Sequence, residues 1–176
     1  KTFEKAECKM LSSAIESVVE RAGSNKSDID AIISGDLLNQ IVSASFAARD
    51  FNIPYIGIYN ACSTMSEGMA LASTFVDGGY MSNVVVATGS HFSTAERQYR
   101  YPLELGAIRP PQSQWTVTGA GALILSNKGQ GPCVSGATFG KVVDYGITDA
   151  NKANKAFASL TMNMDQTFYI RAITVI

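Results

Sequence analysis

Metal-binding side chains are nearly missing from this 176-residue sequence, which has one histidine and three cysteines, Cys8, Cys62 and Cys133. No two of these cysteines share a C-x-x-C spacing, so structural zinc and other paired-ligand metal sites are excluded. An odd cysteine count also speaks against a disulfide framework and points to a reducing, cytoplasmic setting. Charge is scarce as well: charged residues make up 16%, and 14 Lys+Arg against 15 Asp+Glu leave a net charge of −1. That balance lacks the basic face a nucleic-acid partner requires. No apolar run approaches the ~20 residues of a membrane span, and the opening Lys-Thr-Phe-Glu-Lys leads into no secretory h-region. Membrane association is therefore expected only through a partner.

What is present is apolar material, 46% of the chain, enough for the core of one domain. Residues 3–21 place Ala6, Met10, Ala14 and Val18 beside Leu11, Ile15 and Val19. Offsets of three and four predict a helix with one apolar face, stopped by Ala22-Gly23. Strands are predicted at 31–34, 54–59 and 83–88, with helices at 39–50 and 62–76 between them. This alternation implies βαβ units and a parallel sheet covered on both faces. After a polar, aromatic loop over 89–114, segments 115–126 and 132–143 read as two strands joined by a turn. The expected class is α/β, a mixed, mostly parallel five-stranded sheet with helices on both faces. Residues 168–176 read as a further strand, no order is evident over 157–167, and no internal repeat appears.

The residues able to do chemistry gather at predicted strand ends. Cys62, in Asn60-Ala61-Cys62-Ser63-Thr64, falls between a strand and a helix start, where open α/β sheets bind ligands. Backbone N–H groups and the helix dipole there would favour a thiolate and lower its pKa, as a nucleophile needs. The plainer reading is a small side chain packing a helix start, and both stand. Cys8 and Cys133 read as passive. His91 directly follows the strand at 83–88 and its Gly89-Ser90, so it belongs to the same rim. It is either a thiolate partner or a hydrogen-bonded structural residue.

Further on, Glu96-Arg97-Gln98-Tyr99-Arg100-Tyr101-Pro102 interleaves two guanidinium groups with two phenols, a combination suited to a planar aromatic carboxylate. The alternative is a surface loop whose arginines pair with Glu96 and Glu104 in water. Thr118-Gly119-Ala120-Gly121-Ala122 is no phosphate loop, because no Lys follows and no helix opens from it. It reads as a small-residue strand packed on a helix or another chain. Met65, Met69 and Met81 read as core filler. No cofactor and no metal is expected.

Two of these motifs carry a resemblance. The Asn60–Thr64 turn resembles the nucleophile turn of thiolase-fold condensing enzymes, and Thr118–Ala122 resembles their Gly-Asp-Gly-Ala-Gly strand. The runs Ser34-Gly35-Asp36-Leu37-Leu38-Asn39-Gln40, Ala61-Cys62-Ser63-Thr64, Thr94 to Pro102 and Gly146-Ile147-Thr148-Asp149 resemble, more closely, the stage V sporulation protein AD family of endospore-forming bacteria. The resemblance covers residues 1–149 and implies the first half of a two-half thiolase-like fold, with 150–176 as a tail. It implies a non-enzymatic binder of dipicolinic acid, soluble and peripheral at the spore inner membrane, working with membrane subunits of one transport system. It also implies a homodimer, expected to pair through the strand at 84–88. The implied ligand-binding set is Cys62, His91, Arg97, Tyr99, Arg100 and Tyr101. If the chain were instead a thiolase-like acyltransferase, Cys62 would be its nucleophile. Ala120, standing where the condensing enzymes have Asp, favours binding over turnover.

Overall fold

The computed structural model describes residues 2–37, 41–93, 108, 117–129 and 131–137. Its helices and strands lie in one compact unit, while residues 108 and 131–137 belong to a second.

Helix α1 (Phe3–Arg21) starts at Thr2, whose hydroxyl accepts from the Lys5 N–H at 3.3 Å. Glu4 in its first turn and Arg21 in its last oppose the helix dipole favourably. Leu11, Ile15 and Val19, four residues apart, form its buried face, and Gly23 takes the left-handed conformation at φ 63° just beyond its end. The chain then runs through β1 (Ala31–Asp36), α2 (Val42–Arg49) and β2 (Tyr55–Gly57). A 3-10 turn (Ala61–Ser63) precedes α3 (Thr64–Asp77), followed by β3 (Asn83–Ser90) and β4 (Gly119–Ser126).

The sheet order is β2-β1-β3-β4. β1 lies parallel to both β2 and β3, with Ile33 opposite Ile56 on one side and Val86 on the other. β4 runs antiparallel to β3, with Val86 opposite Leu123. All six residues of β1 are buried, and Val84, Val85 and Val86 of β3 are 0% exposed. Burial of each such valine contributes about 1.5–3 kcal/mol, which makes β1 and β3 the spine of the unit. Side chains alternate across the sheet. Ile32, Val85 and Ala87 meet Leu11, Ile15, Ala44 and Ala47 of α1 and α2, while Ile33, Val84 and Val86 meet Ala72 of α3.

This is the expected mixed α/β sheet with helices on both faces, and three sequence expectations are corrected. The sheet has four strands among the described residues, because 132–137 forms no strand and 138–143 lies outside them. β4 does not lead a separate hairpin; its partner is β3. Pairing of two chains through 84–88 is ruled out, because β3 is bonded on both edges, to β1 and to β4. The readings for 168–176 and for the 150–176 tail fall outside the described residues. Met69 is buried and Met65 and Met81 pack on the second cluster, as core filler should. No helix among the described residues is long and apolar enough to cross a membrane.

Gly68 of α3 shows how tightly that helix sits on the sheet. A Cβ at this position would lie 2.5 Å from Val86 Cγ1 and 3.2 Å from Ile58 Cδ1. Replacing Gly by Ala in a helix returns about 1 kcal/mol of propensity, whereas overpacking a core costs about 1–3 kcal/mol. Gly68→Ala is therefore expected to lose about 1 kcal/mol in chemical denaturation. Unchanged or higher stability would contradict this packing.

Candidate functional site

The carboxyl ends of β1 and β3, the Cys62 turn and the start of β4 enclose a cleft of about 260 Å³. Asp36 and Leu37 bound it from β1, Thr88 to Ser90 from β3, and Gly119 to Gly121 from β4. The absent side chains on Gly119 and Gly121 leave this space open, and no atom of the described residues lies within 4 Å of a Cβ built at Gly119. Ala120 and Ala122 pack on the cluster that includes Leu11 and Ile15 of α1, with Ala120 also bordering the cleft. The small-residue strand thus packs on a helix, as its sequence suggested.

Local sequence explains the turn that carries the thiol. Ser63 donates its hydroxyl to the Asn60 carbonyl at 2.8 Å, and Thr64 donates to the Ala61 carbonyl at 2.7 Å. The Thr64 hydroxyl also accepts from the Asn60 N–H at 3.3 Å. These bonds hold Ala61 at φ 45°, a left-handed conformation that only a small side chain adopts at modest cost. Cys62 follows, exposed and on the cleft wall.

Its electrostatics combine two opposed effects. Local burial pushes the Cys62 thiol above its ordinary pKa, and the backbone contribution that lowers it is smaller. Cys62 sits in the 3-10 turn, ahead of the first residue of α3. The start of α3 adjoins it, where the helix dipole favours an anion, and local burial acts against that. The thiol is accessible.

His91 does not join it. The ring is buried, 8% exposed, in a three-ring cluster with Phe3 at 5.1 Å and Phe92 at 5.0 Å between centroids. Its Nδ1 accepts from the Ser93 N–H at 3.2 Å, and it is not among the cleft's lining residues. The placement fits the structural alternative. Arg97, Tyr99, Arg100 and Tyr101 lie outside the described residues. Among the described lining residues there is no Lys, Arg or His, so any cation for an anionic ligand comes from elsewhere. Cys8 is half-buried in α1 and donates to the Ser43 carbonyl at 3.4 Å, and Cys133 is exposed. Among the described residues no cluster of three metal-ligating side chains occurs.

One residue at this cleft received no role from the sequence. Asp36 is fully buried at the end of β1, yet it borders the cleft. The available signal was an acid closing the apolar strand Ala-Ile-Ile-Ser-Gly-Asp, since buried carboxylates are kept only where donors meet them.

Because the thiol pKa is raised, only a small fraction is thiolate at neutral pH. Iodoacetamide labelling of Cys62 is expected to accelerate by about tenfold per pH unit between pH 7 and 8. A rate already level across that range would mean an activated thiolate and contradict the assignment.

A family profile described as Stage V sporulation protein AD matches residues 1–171. Stage V sporulation protein AD of Bacillus subtilis (strain 168) is 42% identical over 158 residues, which cover 90% of this chain and 47% of that protein. The chain thus spans about half the length of this relative. Among solved structures, 3-oxoacyl-[acyl-carrier-protein] synthase III from Aquifex aeolicus VF5 aligns with a TM-score of 0.54 at 18% identity, covering 71% of this chain and 40% of that one. The priming β-ketosynthase of the R1128 polyketide pathway aligns with a TM-score of 0.53 at 17% identity, covering 75% and 38%. At such identity the two enzymes establish the thiolase-like fold and nothing about chemistry. On the profile match and the Bacillus relative together, the chain belongs to the stage V sporulation protein AD family.

Proposed function

We propose that this chain is part of a non-enzymatic binder of dipicolinic acid, pyridine-2,6-dicarboxylate. The observation that carries the reading is a small cleft at the strand ends whose described lining includes no histidine and whose thiol is opposed as a thiolate by local burial. A condensing reaction needs a thiolate and a group to move protons. A binding site needs neither. The volume of about 260 Å³ suits a single planar ring with two carboxylates rather than a long acyl chain.

In this reading the glycine edge of β4 and Met65 flank the ring, and Cys62 lines its pocket without reacting. Arg97 and Arg100 bind the carboxylates through paired N–H donors, and Tyr99 and Tyr101 offer flat faces and hydroxyls. The whole protein is soluble and peripheral to the spore inner membrane. There it serves with membrane subunits of one transport system in uptake during sporulation and release in germination. It acts as a homodimer, and since β3 is bonded on both edges, any sheet shared between copies runs through an outer strand. The exposure of Cys62 on the cleft wall is the one observation that favours acyl transfer instead.

Calorimetric titration of dipicolinate into the full-length protein tests the reading. Saturable binding is expected, with Arg97→Ala and Arg100→Ala each weakening it by about tenfold, as loss of a charge-assisted pair does. No heat at millimolar dipicolinate, with thioester consumption that Cys62→Ala abolishes, would replace it with acyl transfer.

A further inference from the structure

The run Ser34-Gly35-Asp36-Leu37 ends β1, and its side chains alternate across the sheet. On one face is Gly35. A Cβ there would lie 2.8 Å from Thr64 Cγ2 and closer still to the Ile58 carbonyl oxygen. Only hydrogen at this position lets the chain entering the Cys62 turn lie against β1. On the other face is Asp36, 0% exposed. Its Oδ1 accepts from the Ile41 N–H and its Oδ2 from the Ala44 N–H, both at 3.2 Å.

Ile41 is itself unusual. It is a β-branched residue at φ 60°, a left-handed conformation such side chains rarely adopt. Three contacts hold it there besides Asp36. Its carbonyl accepts from the Ser45 N–H at 2.9 Å and the Ser45 hydroxyl at 2.6 Å. Its Cδ1 packs over Gly57, 3.0 Å from where a Cβ would stand. At the other end of the same connection, the Leu37 N–H donates to the Gly89 carbonyl of β3 at 3.2 Å. Asp36 and Leu37 border the cleft.

We infer that Asp36 is a positioning residue of the cleft: its buried carboxylate fastens Ile41 and Ala44 to the end of β1 and so fixes the Leu37 wall opposite the Cys62 turn. The plainer role of a helix cap requires only stability. A wall-fixing role requires that ligand affinity fall by more than lost stability explains.

The molecule supplies a control at the opposite end of β1. There the exposed Asp30 accepts through Oδ2 alone from the Ser82 and Asn83 N–H groups, at 2.6 and 2.9 Å. It lies away from the cleft. Asp36→Asn keeps the shape but turns one acceptor into a donor facing an N–H, and Asp30→Ala removes both of its bonds far from the site.

In the full-length protein, Asp36→Asn is expected to weaken dipicolinate by about tenfold and to speed amide exchange at Ile41 and Ala44 by a similar factor. Exchange over 84–88 should stay as in wild type. Asp30→Ala should leave the dipicolinate affinity within about twofold while lowering stability. Unchanged exchange at Ile41 and Ala44 in Asp36→Asn would overturn the inference. So would an equal loss of affinity in Asp30→Ala. The affinity arm rests on the dipicolinate reading. Should wild type fail to bind dipicolinate, that reading falls, and exchange at Ile41 and Ala44 alone decides the positioning role.

Discussion

The cleft depends on one close approach, between the end of β1 and the chain that enters the Cys62 turn. At Gly35 there is room for a hydrogen and nothing larger, because the Ile58 carbonyl and Thr64 methyl already occupy the space. That contact sets the turn against the sheet. The Ser63 and Thr64 hydroxyls then set the turn itself, and Ala61 accepts its left-handed conformation as the consequence. A thiol placed this way reaches the cleft from a 3-10 turn, not from within the helix.

This separates fold from chemistry in a way the family comparison alone does not. Condensing enzymes share the α/β arrangement at 17–18% identity, a level at which only the backbone path is common. The difference lies in details that the backbone path leaves open. Ala120 packs toward α1 while bordering the cleft, His91 is held in a cluster with two phenyl rings, and the described lining has a buried carboxylate in Asp36 but no Lys, Arg or His. A site of this kind can hold a small ligand by shape and by charges supplied from other segments.

How much of this was legible in the sequence follows from which signals are local. Helix α1 was readable to the residue because its apolar offsets and the following glycine are local facts. The spine of β1 and β3 was readable because strands buried on both faces are continuous apolar runs. Strand pairing is not local: residues 132–143 had strand-like composition, yet β4 found its partner in β3. Proximity of Cys62 to a helix start was visible in the sequence, whereas the local burial that opposes its thiolate was not. His91 was placed at the right rim, but the packing of Phe3 from the far end of the chain could not be read from its neighbours. Asp36 went without a role because the donors that justify a buried carboxylate, on Ile41 and Ala44, appear only in the fold.

The central claim is that a small planar dianion occupies the cleft beside Cys62. The most direct measurement is protection: alkylation of Cys62 in the full-length protein, followed by mass spectrometry with and without saturating dipicolinate. Cys133, exposed and not among the cleft's lining residues, is the internal reference. The account predicts that dipicolinate slows labelling of Cys62 by about tenfold, as a ligand covering a thiol does, and leaves Cys133 unaffected. Equal labelling of Cys62 with and without ligand, under conditions where dipicolinate binds, would place the ligand elsewhere and contradict it.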